Sequence, residues 1–175
     1  GVYHTVSSKK TLFVQAPTGV GKTMSAIFPS VRAIGEGKGE TLFYLTAKTI
    51  TGTVAWEAFH TLRENGLKFK VTAITAKEKL CFLDSPECTP EKCPYAKGHF
   101  DRVNDAVYEL WTTEEVYSRE VIRAHAEKWQ VCPFEMCLDL SVWVDGVICD
   151  YNYAFDPNVH LKRFFGENIS GDYIF

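Results

Sequence analysis

Apolar residues in the first third of the chain come in short runs separated by amphipathic stretches. Thr11–Gln15 (TLFVQ), Thr41–Leu45 (TLFYL) and Phe69–Ile74 (FKVTAI) read as buried strands. Between them lie two stretches with near-helical spacing of apolar positions. One is Gly21–Ile34, carried by Met24, Ala26, Ile27, Val31 and Ile34 and ended by the Gly-rich segment 35–39. The other is marked by Val54, Ala55, Ala58, Phe59 and Leu62 and ended at Asn65-Gly66. Strands alternating with helices of this length predict a parallel sheet with crossover helices, an α/β fold. The alternation then stops. From about Lys77 to Gln130 no strand-like run occurs: two Pro-containing cysteine loops come first, then a charged stretch, His99–Lys128, with helical spacing. Strand character returns in Asp145–Asp150 (DGVICD) and again in Asp172–Phe175 (DYIF). The expected division is a first sheet segment at 1–76, a mostly helical insertion at 77–140, and a return to the sheet at 141–175. A chain that stops on a strand reads as a fragment of a larger domain.

Composition changes this picture little. The 175 residues are 46% apolar and 23% charged, ordinary globular usage that argues against a disordered or fibrous chain. No apolar stretch is long enough to span a membrane, and the first ten residues lack the apolar core of a secretory signal. A cytoplasmic location and no membrane partner are expected. The net charge of −3 conceals an asymmetry. Residues 1–80 hold 11 Lys/Arg against 5 Asp/Glu, a net of +6, and residues 81–175 hold 8 against 17, a net of −9. The first part could favour polyanions, and the second would repel them unless its cysteines bring in a metal.

Two motifs carry chemistry. Ala16-Pro17-Thr18-Gly19-Val20-Gly21-Lys22-Thr23 lies between the first strand and the first helix and fits the P-loop pattern, with Ala in place of the leading Gly. Glycines let backbone N–H groups approach phosphates, and the helix N-terminus adds positive dipole. In such a loop Lys22 neutralises the β- and γ-phosphates of a nucleotide and Thr23 ligates Mg²⁺. Hydrolysis also needs an acid on a later strand. Asp150 ends a strand but is followed by Tyr151-Asn152, so the DYIF strand is where that acid is expected to belong.

The second motif is the cysteine set. All six cysteines lie beyond residue 80, and Cys81, Cys88, Cys93 and Cys132 have the irregular spacing C-x6-C-x4-C-x38-C, with Cys93 and Cys132 each followed by proline. In a reducing compartment such clustering points to metal rather than disulfides. A cysteine-only set with this spacing suits an iron–sulfur cluster; zinc and unliganded thiols are the alternatives. His99 and His125 could ligate zinc but have no partner at metal spacing. Cys149, inside an apolar strand, reads as a core thiol, and so does Cys137, which is the main rival for the fourth ligand position.

These segments together resemble the XPD/DinG family of superfamily-two DNA helicases, over essentially the whole chain. The resemblance rests on QAPTGVGKT (Gln15–Thr23), YLTAKT (Tyr44–Thr49), CPYA (Cys93–Ala96), CPFE (Cys132–Glu135) and VICDYNYAFDP (Val147–Pro157). It implies the first part of a RecA-like motor domain with an inserted iron–sulfur subdomain, from an enzyme that uses ATP to unwind DNA 5′ to 3′ in repair or replication. It implies ATP, Mg²⁺ and a 4Fe-4S cluster as cofactors, and Cys81, Cys88, Cys93 and Cys132 as cluster ligands. Thr46, Lys48 and Thr49 match the segment that faces the nucleic-acid backbone, and Phe134 is a candidate for stacking a base. The implied partners are single-stranded or forked DNA and the remaining helicase domains of the same chain. The acidic box and second motor domain of such enzymes are absent from these residues, so the motor activity belongs to the parent protein. The alternatives are a redox-responsive iron–sulfur DNA-binding module without motor activity, and a zinc-bearing P-loop ATPase acting on protein partners.

Overall fold

A computed structural model of the chain describes all residues except Lys48, Pro86 and Asn168, together with every side chain but those three and Thr49, Ile50 and Thr51. The chain divides into two compact units, residues 1–71 with 145–175, and residues 72–144.

The first unit is α/β. Its sheet contains β1 (Thr41–Thr46), β2 (Val71–Ala73, which enters from this unit through Val71), β3 (Gly146–Asp150) and β4 (Tyr173–Ile174), in the order β2-β3-β1-β4. β1 runs parallel to both neighbours, with Leu42 opposite Gly146, Thr46 opposite Asp150, and Thr41 opposite Tyr173. Val147, Ile148 and Cys149 are all buried, as expected for a central parallel strand covered on both faces. Two long helices pack on β1: α2 (Lys22–Gly35), which precedes it, and α3 (Thr49–Glu64), which follows it and leads toward β2. α2 buries Ile27 and Val31 of the expected apolar stripe, and beside them Ser30 and Ala33, which lie outside it. On β1, Phe43 is fully buried in an aromatic cluster, with Phe164 edge-on at 4.9 Å and Phe165 tilted at 5.2 Å. The shorter helices α1 (Val2–Ser7), α8 (Asn152–Phe155) and α9 (Lys162–Phe165) complete this unit.

β3 begins at a close backbone approach. Lys70 accepts from the N–H groups of Asp145 (2.9 Å) and Gly146 (3.0 Å) and donates its own N–H to the Asp145 carboxylate at 2.7 Å. A Cβ on Gly146 would come within 2.9 Å of the Phe69 ring.

One expectation fails. Thr11–Gln15 is not a strand: it has no ladder partner among the described residues, and Phe13 is 93% exposed, with Leu12 and Val14 also exposed. An apolar run shows what a segment can bury but not which edge it pairs with, and here the sheet order ends at the two-residue β4.

The second unit is mostly helical: α4 (Lys77–Leu80), α5 (His99–Thr113), α6 (Arg119–Trp129) and α7 (Pro133–Leu140), with the cysteine loops between α4 and α5. α5, α6 and α7 pack mutually. Their shared core takes Val103, Ala106, Val107 and Leu110 from α5, at i, i+3, i+4 and i+7, then Ile122 and Ala126 from α6 and Met136, Cys137 and Leu140 from α7. The charged stretch expected at His99–Lys128 is therefore two helices. α5 stops at Thr113, and α6 restarts from Ser118, whose hydroxyl accepts the Val121 N–H at 3.3 Å as an N-cap.

Candidate functional site

The glycine-rich loop lies in the α/β unit immediately before α2. Gly19 and Gly21 take left-handed backbone (φ 83° and 74°), a conformation that a side chain would strain, and Gly21 is the N-cap of α2. Lys22, the first helical residue, folds back over the loop: its Nζ donates to the carbonyls of Ala16 at 3.1 Å and Pro17 at 2.9 Å. The Thr23 hydroxyl lies 3.4 Å from the Tyr44 hydroxyl, which donates to it from β1. The loop is largely exposed and flanks an open cleft of about 1160 Å³, lined among others by Ala16, Val20, Lys22, Tyr44, Tyr151 and Tyr173. A helix N-terminus carrying an ammonium group and free-facing backbone amides is suited to an oxyanion.

The residues singled out after β1 fare differently. Thr46 is buried at the end of that strand, and its carbonyl accepts the Tyr151 N–H at 3.2 Å. Lys48 and the Thr49 side chain lie outside the described residues. Asp150, at the end of β3, uses its carboxylate to accept the Asn152 N–H at 2.9 Å.

All four cysteines of the irregular set belong to the helical unit and none forms a disulfide. Cys132 is the N-cap of α7, a short helix with Pro133 at its first position and Met136, Cys137 and Leu140 facing the core. Burial pushes the Cys132 thiol up, while the backbone N–H groups of Glu135 and Phe134 and the Lys77 ammonium pull it down. Lys77, at the start of α4, lies beside Cys88, and with Cys132 and Glu135 also nearby its ammonium is held above the ordinary lysine range. The Lys77 Nζ also sits 6.0 Å from the centre of the Phe134 ring, which is half-buried. Cys81 accepts the Leu83 N–H at 3.4 Å, and Cys93 is buried with its N–H on Thr89 at 2.9 Å. Cys137 is buried, with its sulfur 3.7 Å from the Ala73 carbonyl and 3.9 Å from the Thr72 hydroxyl. Desolvation pushes that thiol up to about 12. Cys149 in β3 is likewise pushed up to about 12.

Among the described residues no three His, Cys, Asp or Glu side chains converge into a metal-ligand group. The chemistry of the donor set nonetheless fits a thiolate-bound cluster. It offers four thiols in one unit and an ammonium beside two of the four. Among the described residues neither histidine joins a metal-ligand group. His99 is buried and its Nδ1 accepts the Cys132 N–H at 3.2 Å, and His125 faces the Val121 carbonyl and Glu109.

Sequence reasoning passed over the groups that hold this region. Arg102, on α5, donates to the carbonyls of Trp129 (Nε, 2.9 Å), Lys97 (2.8 Å) and Gln130 (2.6 Å). It thereby ties the end of the three-cysteine loop to the segment that leads into Cys132. Arg123 donates to the carbonyls of Leu80 and Cys81 (3.0 Å to the latter) and lies 4.5 Å over the Phe82 ring, which packs against Tyr95. Neither arginine has a local signature, because all its partners but Lys97 are backbone carbonyls 27 to 43 residues away.

No protein-family model matches the chain, and no curated protein matches it by sequence. Among the described residues no helix is long and apolar enough to cross a membrane.

Proposed function

We propose that this chain is the nucleotide-binding and iron–sulfur portion of an ATP-dependent 5′ to 3′ DNA helicase of the XPD/DinG type, with a RecA-like P-loop core and an inserted cluster subdomain. The observation that carries the reading is the fold-back of Lys22 over a loop with two left-handed glycines at the start of α2. The lysine already rests on loop carbonyls, and a β,γ-phosphate would offer it charged acceptors in their place. Gly19 and Gly21 let the loop backbone turn its amides to the phosphates, and the Thr23 hydroxyl is the group that would hold Mg²⁺, with Tyr44 orienting it. Cys81, Cys88, Cys93 and Cys132 would hold a 4Fe-4S cluster. Such a cluster supplies four metal–thiolate bonds across the loop and the start of α7, and the capacity to exchange an electron. Lys77 balances the negative charge of the sulfurs, and His99 fixes the Cys132 backbone. The segment after β1, with Lys48 and Thr49, and the Phe134 ring would meet DNA, with Thr46, buried at the end of β1, holding the start of that segment.

Two measurements on the chain test this. Titration with a fluorescent ATP analogue and Mg²⁺ should give saturable binding that Lys22→Ala weakens about 10- to 100-fold, the loss of one or two charged hydrogen bonds. Equal affinity in the variant refutes the phosphate site. Anaerobic preparation should give a protein with absorbance near 400 nm and about four iron and four sulfide per chain. Stoichiometric zinc without sulfide would move the protein to the zinc-bearing alternative. In the complete helicase, Lys22→Ala should abolish unwinding and leave DNA binding intact.

A further inference from the structure

The helical unit carries a concavity of its own, lined by none of its cysteines. It is a cleft of about 260 Å³ lined by Asn104, Asp105, Val107 and Tyr108 of α5, Asp139 of α7, and Trp143 of the turn that follows. Below the 300–1,000 Å³ of a drug-sized pocket, it has room for a single side chain. Two of its walls are aromatic and two are carboxylates. Tyr108 is 61% exposed and Trp143 is 54% exposed, although both sit on otherwise well-packed elements. Trp143 is held in place from behind: the Trp111 indole N–H donates to its carbonyl at 2.9 Å, and the two rings lie 6.0 Å apart at 56°. The cations on the neighbouring helices are committed. Arg102 is turned onto three carbonyls, and Lys128 pairs with Glu109. Asp105 takes part in no ion pair among the described residues.

We infer that this cleft receives a cationic side chain, an arginine or lysine projecting from a basic segment of a protein partner. A cation placed against the faces of Tyr108 and Trp143 gains from both ring quadrupoles, and the carboxylates of Asp105 and Asp139 supply the opposite charge. Of those carboxylates Asp105 is exposed, and an apolar side chain would strip its water and return nothing. A phosphate backbone would meet them as like charges. The wider surface agrees in sign, since residues 72–144 hold 13 Asp/Glu against 8 Lys/Arg. The inference stands independently of the nucleotide and cluster readings, because it uses none of their residues.

The test uses the whole chain with ¹⁵N-labelled tryptophan, whose four indole N–H signals are assigned by single Trp→Phe variants. The probe is a blocked Gly-Arg-Gly peptide, with the neutral, nearly isosteric Gly-citrulline-Gly as its control. The arginine peptide should shift the Trp143 signal saturably, and the Trp111 signal with it through the shared hydrogen bond, and leave Trp56 and Trp129 unmoved. Asp105→Asn, which is exposed and nearly isosteric, and Tyr108→Ala should each weaken that binding about 2- to 30-fold, with the Trp129 signal, from the same unit, unchanged as a check on folding. Equal shifts from the citrulline peptide, shifts spread over all four indoles, or undiminished binding in Asp105→Asn would overturn the inference. So would a Trp143 shift produced by a short oligothymidine, or by raising protein concentration without peptide; these would assign the face to nucleic acid or to a second copy of the chain.

Discussion

Replacing Arg102 tests what holds the cysteine region together. Its guanidinium spans three carbonyls: Trp129 and Gln130 at the end of α6, and Lys97 at the end of the three-cysteine loop. A hydrogen bond to a charged group contributes about 1.5–3 kcal/mol when shielded from water. The bond to Trp129 is partly buried, so about 1.5–2 kcal/mol is assigned to it; the two exposed bonds compete with water and are worth about 0.5–1 kcal/mol each. The guanidinium also sits at the negative end of the α6 dipole and supports Gln130 in left-handed backbone (φ 51°), which is unfavourable for a residue with a side chain. Arg102→Ala should therefore destabilise the helical unit by about 3 kcal/mol, and Arg102→Lys, with one donor able to reach one carbonyl, should recover about 1 kcal/mol of that. Gly98→Ala perturbs the same clasp from the other side: Gly98 has φ 68°, and its new Cβ would press on Arg102 Nη1 at 2.5 Å. Urea unfolding followed by amide exchange of α5 and α6 measures the loss. Because Lys97 and Gln130 border the span that separates Cys93 from Cys132, Arg102→Ala should also, in the proposed cluster-bound form, speed iron loss to a chelator, although none of the four proposed ligand cysteines is touched. A change below 0.5 kcal/mol, or a lysine variant as stable as the wild type, would refute the clasp.

Iodoacetamide at pH 8 should alkylate exposed Cys88 first and leave Cys137 and Cys149 unmodified in the folded protein. Burial pushes both core thiols up to about 12, and peptide mapping reads the order. Glu109 is held below the ordinary carboxylate range by its hydrogen bond from Lys128, with Trp129 adding a second, so its contribution is present above that range and lost as pH falls through the folded value. The stability gap between wild type and Glu109→Gln should be widest at neutral pH and close on acidification; a gap that grows toward acid would contradict the pairing. Gly146→Ala should cost about 1–3 kcal/mol in chemical denaturation, because the new methyl meets the Phe69 ring at 2.9 Å and Val71 at 3.3 Å; an unchanged midpoint would mean the approach relaxes freely.

Periodicity located β1, β3, β4 and the helices α2 and α3 to within a few residues, because each is an apolar pattern read by its own neighbours. The helix α7 carried the same kind of signal, Pro133 at its start and Met136, Cys137 and Leu140 on one side, yet Cys-Pro-Phe-Glu drew attention as a ligand motif and the helix behind it went unread. The glycine-rich loop was legible because its chemistry is contiguous. The cysteine region was legible only as a set of sulfurs. Lys77 and His99, which touch Cys88 and the Cys132 backbone, are ordinary residues in sequence, and only folding brings His99 to a residue 33 positions later.

Thr11–Gln15 misled for a reason that bears on the site. The run has the composition of a buried strand, and burying a side chain such as Leu, Phe or Val is worth about 1.5–3 kcal/mol, so leaving Leu12, Phe13 and Val14 exposed forfeits several kcal/mol. β1 is paired over five residues by β3 but over only two by β4. The segment that should have anchored the glycine-rich loop from one side is thus the least satisfied part of the α/β unit, while α2 anchors it firmly from the other. Local pattern and fold agree wherever the element is held by packing, and they part at the residues leading into Lys22. The proposed phosphate site would account for this, since a loop that binds a ligand can be stabilised by what it binds rather than by its own core.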